Sequence, residues 1–162
     1  MSNRMSRPPR IPGFHYLGPY RYFLTFCTSQ GRETFRDSAV ANLVLTQFRR
    51  TARTSAFAIL AYCLMPDHVH LLVEGTTAAA DLRRFIKRAK QGTGQAYMHR
   101  AREPLWQEGY YDRVLRPTDD AKAVARYIIG NPVRAGLVRA ASEYPHLGSD
   151  VWGLEELIDS VL

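Results

Sequence analysis

Two apolar segments joined by a proline–aspartate turn constrain the fold of this 162-residue chain more than any other feature. Residues 57–64 (FAILAYCL) and 68–74 (HVHLLVE) are apolar runs of the length expected for strands. Pro66 and Asp67 lie between the two runs and favour a tight turn. The sequence therefore predicts two consecutive strands that are largely buried.

The pattern on either side of this pair predicts an α+β fold. Residues 20–28 alternate like a strand, and residues 38–54 place apolar side chains on one helical face. A second amphipathic helix is predicted from Asp81, and a fourth strand over residues 110–115. The order β-α-β-β-α-β is the split βαβ arrangement of ferredoxin-like folds, an antiparallel sheet with helices on one face.

Further helices are predicted around and after this unit. Gly92 and Gly94 are predicted to interrupt the helix that starts at Asp81, and residues 97–102 are interpreted as its continuation. A later helix is predicted to begin with Thr118 as its N-cap and to end near Gly130, before a proline. Apolar residues spaced by three and four over 154–162 predict a short C-terminal helix.

Composition indicates one domain with a hydrophobic core, since 46% of the residues are hydrophobic. We divide the chain into a Pro/Arg-rich arm at 1–14, a globular domain at 15–145 and an acidic tail at 146–162. No run approaches the roughly 20 apolar residues of a membrane span and the N-terminus lacks an apolar signal core, so we expect a cytoplasmic protein. Cys27 and Cys63 lie in apolar runs and are predicted to be buried thiols without a disulfide.

The charge distribution indicates a polyanionic partner. The net charge is +7, and residues 1–139 carry all 22 basic residues against 10 of the 15 acidic ones. Arginine supplies a planar fork that binds phosphate through two hydrogen bonds, and only three of the basic residues are lysine. Nucleic acid is the usual partner of such a surface. The acidic tail is predicted either to complete the core or to cover part of this basic surface or of a dimer-forming face.

His68 and His70 are the strongest chemical signal in the sequence. Alternate residues of a strand point to the same face, so these two imidazoles share a face while Val69 enters the other. Such a pair can ligate one metal ion, although two unrelated histidines would give the same pattern. No cysteine accompanies the pair, and the sequence has neither a GxxxxGK phosphate loop nor a GxSxG elbow.

Tyr127 and Asn131 are the second signal, because residues four apart share one face of a helix. A tyrosine one turn from an amide suits a nucleophile beside a metal ligand, although an ordinary half-buried tyrosine remains the alternative. A phenol with a pKa near 10 needs help at neutral pH, which a divalent ion gives by polarising the scissile phosphate. Tyr97, Tyr110 and Tyr111 are rival nucleophiles.

Three ordered segments resemble a known family. Residues 62–74 (YCLMPDHVHLLVE) resemble the HUH signature of single-tyrosine transposases. Residues 106–116 (WQEGYYDRVLR) and 127–138 (YIIGNPVRAGLV) are similar to later signature blocks of the REP-associated subgroup. The resemblance spans roughly residues 12–145 and implies a ferredoxin-like catalytic domain that acts on single-stranded DNA, often near a hairpin or repeat.

The resemblance also implies roles for individual residues. His68 and His70 would be ligands of Mg²⁺ or Mn²⁺, and Tyr127 the nucleophile that forms a 5′-phosphotyrosine. Asn131 would be the third ligand, at a position where many relatives outside the subgroup have glutamine. Asp67 stands where many relatives have asparagine, and we interpret it as turn chemistry.

DNA contacts are predicted from charge, residue by residue. The candidates are Arg7, Arg10, Arg21, Arg83, Arg84, Lys87, Arg88, Lys90, Arg113, Arg116 and Arg134. The predicted function is a metal-dependent DNA transposase that nicks and rejoins single-stranded DNA as a monomer or a homodimer. The alternatives are an HUH nickase of replication or plasmid mobilisation and a ferredoxin-like nucleic-acid-binding module without catalysis.

Overall fold

A five-stranded antiparallel sheet organises the computed structural model, which describes residues 11–158. Its strands are β1 (Arg21–Cys27), β2 (Phe57–Met65), β3 (His68–Gly75), β4 (Tyr111–Val114) and β5 (Leu147–Gly148). They lie in the order β4-β1-β3-β2-β5. The helices are α1 (Ser38–Thr54), α2 (Leu82–Ala101), α3 (Ala121–Ile129), α4 (Asn131–Arg134) and α5 (Leu154–Ile158). The predicted ferredoxin-like α+β fold is confirmed.

Strand β3 is the central strand, and its two faces have different characters. Val69, Leu71 and Val73 point to one face and are completely buried. His68 and His70 point to the opposite face, as the period of two requires. Because β3 is bonded to β1 on one side and to β2 on the other, both imidazoles are held on a rigid part of the sheet.

Helices cover both faces of the sheet. Helices α1 and α2 pack on the face of Leu71, with Phe48 and Phe85 among their completely buried side chains. Helix α3 packs on the histidine face, where Ala125 and Ile128 join a second buried cluster with strand residues. The sequence predicted the C-terminal helices but not that they close the second face.

Two boundary predictions were wrong for physical reasons. Helix α2 continues through Gly92 and Gly94, because the intervening Thr93 is completely buried and accepts a hydrogen bond from Trp106 Nε1 at 2.8 Å. Tertiary packing thus outweighs the weak helical preference of glycine. Helix α3 has Asp120 as its N-cap, not Thr118; the Asp120 carboxylate accepts from two backbone amides of the first turn.

The described part of the acidic tail is attached to the sheet and to α3. Strand β5 pairs with β2 through Cys63 and Leu147. Leu157 of α5 is 1% exposed within the cluster that contains α3, and Glu156 forms an ion pair with Lys122. No helix within residues 11–158 is long and apolar enough to cross a membrane.

Leu71→Ala is expected to lower the free energy of unfolding by about 3–4 kcal/mol, because it removes buried methylenes from the middle of the central strand and leaves a cavity. Urea unfolding followed by circular dichroism measures the change. Leu17→Ala, at a side chain that is 50% exposed, is the matched control and should cost less than about 1 kcal/mol. Equal losses in the two variants would contradict the assignment of the core.

Candidate active site

The two histidines of β3 point their Nε2 atoms at each other. His68 Nε2 and His70 Nε2 lie 3.2 Å apart, and the ring centroids are 4.7 Å apart. His70 is 8% exposed, whereas His68 is half-buried. The pair therefore has one imidazole deep in the fold and one closer to solvent.

Each histidine is oriented through its other ring nitrogen. His70 Nδ1 lies 3.0 Å from Thr25 Oγ1, and Thr25 is itself buried on the neighbouring strand β1. His68 Nδ1 lies 2.7 Å from Asp67 Oδ1. Partners of this kind fix the ring and favour the tautomer with the proton on Nδ1, which leaves the Nε2 lone pair free for a ligand. The interpretation of Asp67 as turn chemistry was therefore incomplete, since its carboxylate also orients His68.

Burial keeps His70 neutral. Burial, followed by electrostatic interactions with His68 and Arg134, lowers the pKa of His70 to about 3. A neutral imidazole is the form that binds metal. Burial also raises the pKa of the neighbouring Cys63 thiol to about 12, which fits a buried structural thiol.

The donor atoms fit one divalent ion. With metal–nitrogen distances of about 2.1 Å, two ligands at right angles lie about 3.0 Å apart, close to the 3.2 Å between the two Nε2 atoms. In the part of the chain that the structure describes, no group of three or more His, Cys, Asp or Glu side chains is arranged for a metal. The described residues thus offer the two imidazoles without a third ligand of these four types.

An open pocket of about 450 Å³ lies between His70 and helix α3. It is lined by Phe23, His70, Tyr111, Arg113, Ala123, Val124 and Tyr127. The predicted nucleophile and one predicted metal ligand thus share a cavity, although 57 residues separate them in sequence. The sheet and the helix that packs on its second face create this proximity.

Tyr127 is exposed at the end of α3 and is covered by one arginine. Its side chain is 57% exposed, and the Arg134 guanidinium carbon lies 4.0 Å from the centre of its ring. Arg134 Nη2 donates to the Tyr127 carbonyl and, at 3.4 Å, to Asn131 Oδ1. Arg134 therefore links Asn131 to Tyr127 through hydrogen bonds to both residues. Asn131 itself lies at the start of α4 and does not line the pocket.

The three rival tyrosines differ in position. The Tyr97 hydroxyl donates to Glu103 at 2.7 Å and its side chain is 7% exposed, on the α1–α2 side of the sheet. Tyr110 packs against Phe26 on that same side. Tyr111 lines the pocket together with Tyr127, so its position is compatible with the role of nucleophile.

The predicted DNA-binding residues lie in three regions of the described chain. Arg113 lines the pocket and pairs with Asp119 at 3.6 Å, and Arg134 covers Tyr127. The second region comprises the start of β1 and the segment after β4. Arg21 of β1 pairs with Glu74 at 3.4 Å, and Arg116 lies in the exposed segment that leads from β4 to α3.

The third region is α2, on the opposite face of the sheet from the pocket. Arg83, Arg84, Lys87 and Arg88 are exposed along this helix. Lys90 has a local role, since its Nζ donates to the carbonyls of Gln107 and Gly109. Arg7 and Arg10 lie outside the described residues.

Sequence reasoning missed Thr25 and Phe23 as parts of the site. Thr25 contacts His70, and the Phe23 ring centroid lies 5.4 Å from that of the same imidazole. Both residues face the site because β1 pairs with β3 in a register that places Thr25 opposite His70. The alternation within residues 20–28 indicated that the two share a face, but the register between strands was needed to bring that face to the histidines.

Comparison with known proteins identifies the class of protein to which this α+β fold belongs, the DNA transposases. Residues 18–131 match the family described as "Transposase IS200 like". The chain belongs to this family of transposases.

Individual relatives agree with this assignment. A REP-associated tyrosine transposase of Escherichia coli K12 is 29% identical over 115 residues, which is 65% of this chain and 66% of that protein. A candidate REP-associated tyrosine transposase of Haemophilus influenzae is 22% identical over 137 residues, or 77% of each chain. Among solved structures, a REP-associated tyrosine transposase bound to a REP hairpin superposes with a TM-score of 0.71 at 22% identity, over 88% of this chain and 82% of the other.

Proposed function

We propose that this transposase cleaves and rejoins single-stranded DNA near a hairpin or repeat through a 5′-phosphotyrosine on Tyr127. The observation that carries the proposal is the open pocket that His70 and Tyr127 both line. A nucleophile and a metal ligand on one cavity can act on the same phosphodiester. The hairpin bound by the similar solved structure supports the substrate class.

The reaction transfers the phosphoryl group of one phosphodiester from the 3′ oxygen of DNA to the hydroxyl oxygen of Tyr127. The Tyr127 oxygen attacks phosphorus and loses its proton to solvent, while the bond from phosphorus to the 3′ oxygen breaks. The 3′ oxygen takes up a proton and leaves as a free hydroxyl, and the 5′ phosphate stays on tyrosine. Because the phosphoester bond is conserved, a 3′ hydroxyl can reverse the step and rejoin DNA without ATP.

His68, His70 and Asn131 would hold the divalent ion, Mg²⁺ or Mn²⁺. When bound, such an ion polarises the scissile phosphate and stabilises the charge that develops on its oxygens. Asn131 Oδ1 has two lone pairs, so its long hydrogen bond from Arg134 leaves one of them for the ion. Thr25 and Asp67 keep both imidazoles oriented for this role.

Basic side chains on both faces of the sheet would hold the DNA. Arg113 lines the pocket and Arg134 contacts the ring of Tyr127 beside it, so both can contact phosphates near the cleaved bond. Flanking nucleotides would be held by four further arginines, namely Arg7, Arg10, Arg21 and Arg116. The cations of α2 (Arg83, Arg84, Lys87 and Arg88) would contact a more distant part of the substrate, because the sheet separates them from the pocket.

A denaturing gel with end-labelled DNA tests the proposal. The full chain is incubated with Mn²⁺ and a single-stranded hairpin oligonucleotide taken from beside its own gene, labelled at the 5′ or at the 3′ end. A 5′-phosphotyrosine retains the 3′ part of the DNA, so the 3′ label should move with the protein while the 5′ label appears on a shorter free fragment. A chelator should abolish both products.

Two outcomes would overturn the proposal. A 5′ label that moves with the protein would mean the opposite polarity of attack. Tight binding without metal and without any adduct would favour a nucleic-acid-binding module.

Thr25→Val is expected to weaken Mn²⁺ binding about 10–100-fold, because valine keeps the shape of threonine but cannot hold the Nδ1 of His70. Isothermal titration calorimetry on the protein without DNA measures the affinity. Thr25→Ser, which keeps the hydroxyl, is the matched control and should bind Mn²⁺ nearly as the unaltered protein does. Equal affinities for Thr25→Val and the unaltered protein would exclude an orienting role for this hydroxyl.

A further inference from the structure

Arg134 lies in an unusual position for a surface arginine. Its guanidinium carbon is 4.0 Å from the centre of the Tyr127 ring, and its Nη2 donates to the carbonyl of the same residue. The two residues are seven apart, and a tight turn at Gly130 between α3 and α4 brings them together. One side chain is thus fixed both to the ring and to the backbone of the nucleophile.

Gly130 provides the space for this arrangement. A Cβ at Gly130 would lie 2.7 Å from Arg134 Nη1, so any other residue there would displace the guanidinium. The local sequence GNPVR therefore has a structural reason: the glycine admits the arginine, and the buried Pro132 lies in the first turn of the short helix that carries it.

The guanidinium keeps its positive charge and several donors for a ligand. Across residues 11–158, no carboxylate pairs with Arg134, whereas Arg21, Arg113 and six other basic side chains or histidines form ion pairs. Both of its hydrogen bonds come from Nη2, so the N–H groups of Nε and Nη1 have no acceptor in the described chain. The side chain is exposed at the end of α3, beside the ring that lines the pocket.

We propose that Arg134 is a catalytic residue that binds a non-bridging oxygen of the scissile phosphate and holds it against Tyr127. This inference rests on the proposed function and adds a residue to the reaction itself. In the attack described above, phosphorus gains the tyrosine oxygen before the 3′ oxygen has left, and negative charge grows on the non-bridging oxygens. A guanidinium placed at that point stabilises this charge through charge-assisted hydrogen bonds.

The test compares two substrates that differ in one charge. One hairpin oligonucleotide carries a normal phosphodiester at the cleaved position, and the other carries a methylphosphonate, which replaces a charged non-bridging oxygen with a neutral methyl group. The rate of covalent adduct formation with Mn²⁺ is measured for the unaltered protein, Arg134→Ala and Arg134→Gln. Arg50→Ala, at an exposed arginine of α1 on the other side of the sheet, is the matched control.

On the phosphodiester, Arg134→Ala and Arg134→Gln should be slower by about 100-fold or more, and Arg50→Ala unchanged. On the methylphosphonate, the Arg134 variants and the unaltered protein should react at closely similar rates, because the charge that Arg134 stabilises is absent. An equal loss on both substrates would overturn the assignment and leave Arg134 a purely structural role. If the unaltered protein forms no adduct on the phosphodiester, the proposed function fails and the assignment of Arg134 fails with it.

Discussion

Tyr127→Phe is expected to lower covalent adduct formation by about 10³-fold or more, because phenylalanine keeps the ring but has no oxygen to attack phosphorus. The fold should not change, since the side chain is 57% exposed and its hydroxyl has no hydrogen-bond partner in the described structure. The contact between the ring and Arg134 also remains possible in the variant. The measurement is the denaturing gel with 3′-labelled hairpin DNA and Mn²⁺.

Tyr111→Phe is the matched control for this prediction. Tyr111 lines the same pocket and offers the same phenol, so it tests which of two neighbouring hydroxyls is the nucleophile. We expect the adduct to persist in Tyr111→Phe, because Tyr127 stands beside the guanidinium of Arg134, whereas Tyr111 lies on strand β4. An adduct that survives in Tyr127→Phe and disappears in Tyr111→Phe would transfer the nucleophilic role to Tyr111.

His70→Ala is expected to weaken Mn²⁺ binding about 100-fold or more, because it removes a ligand rather than a partner of a ligand. The loss should appear in calorimetry on the protein alone, before any DNA is added. Adduct formation should fall with it at fixed Mn²⁺ concentration and recover in part when the ion is in large excess. Partial recovery would show that the variant is folded and that the defect lies in metal affinity.

Two further variants make this result specific. His68→Ala removes the more exposed imidazole of the pair and should weaken Mn²⁺ binding with less effect on stability than His70→Ala, whose side chain is 8% exposed. His99→Ala, at an exposed histidine of α2, should bind Mn²⁺ as the unaltered protein does. Unchanged Mn²⁺ affinity in both His68→Ala and His70→Ala would contradict a metal site at this pair.

Where the chain forms strands and helices was largely readable from its sequence. The period of two in residues 20–28 and the apolar run of 57–64 predicted β1 and β2 almost to their ends, and helix α1 has the predicted bounds. These signals are local, since each depends on which neighbouring side chains are apolar. The errors at Gly92, Gly94 and Thr118 occurred where a buried threonine or a competing aspartate cap outweighed the local preference.

The alternation of residues in β3 was also sufficient to place His68 and His70 on one face, because successive side chains of any strand point to opposite sides. The pairing of Thr25 with His70 depended on strand register, which the sequence of either strand alone does not specify. Asp67 was visible as a turn residue, but its second role required the direction of its carboxylate toward His68.

The sequence by itself determined the α+β class and the shared face of the two histidines, whereas the placement of Tyr127 and Asn131 on one helix was wrong, because α3 ends at Ile129 and Asn131 begins α4. Only the tertiary structure decided that α3 packs on the histidine face, that Tyr127 and His70 line one pocket, and that α2 carries its cations on the opposite side. Local patterns report which face of a helix or strand is apolar, but two apolar faces of a sheet look alike in sequence. The choice between them is made when helices distant in sequence bury both faces together.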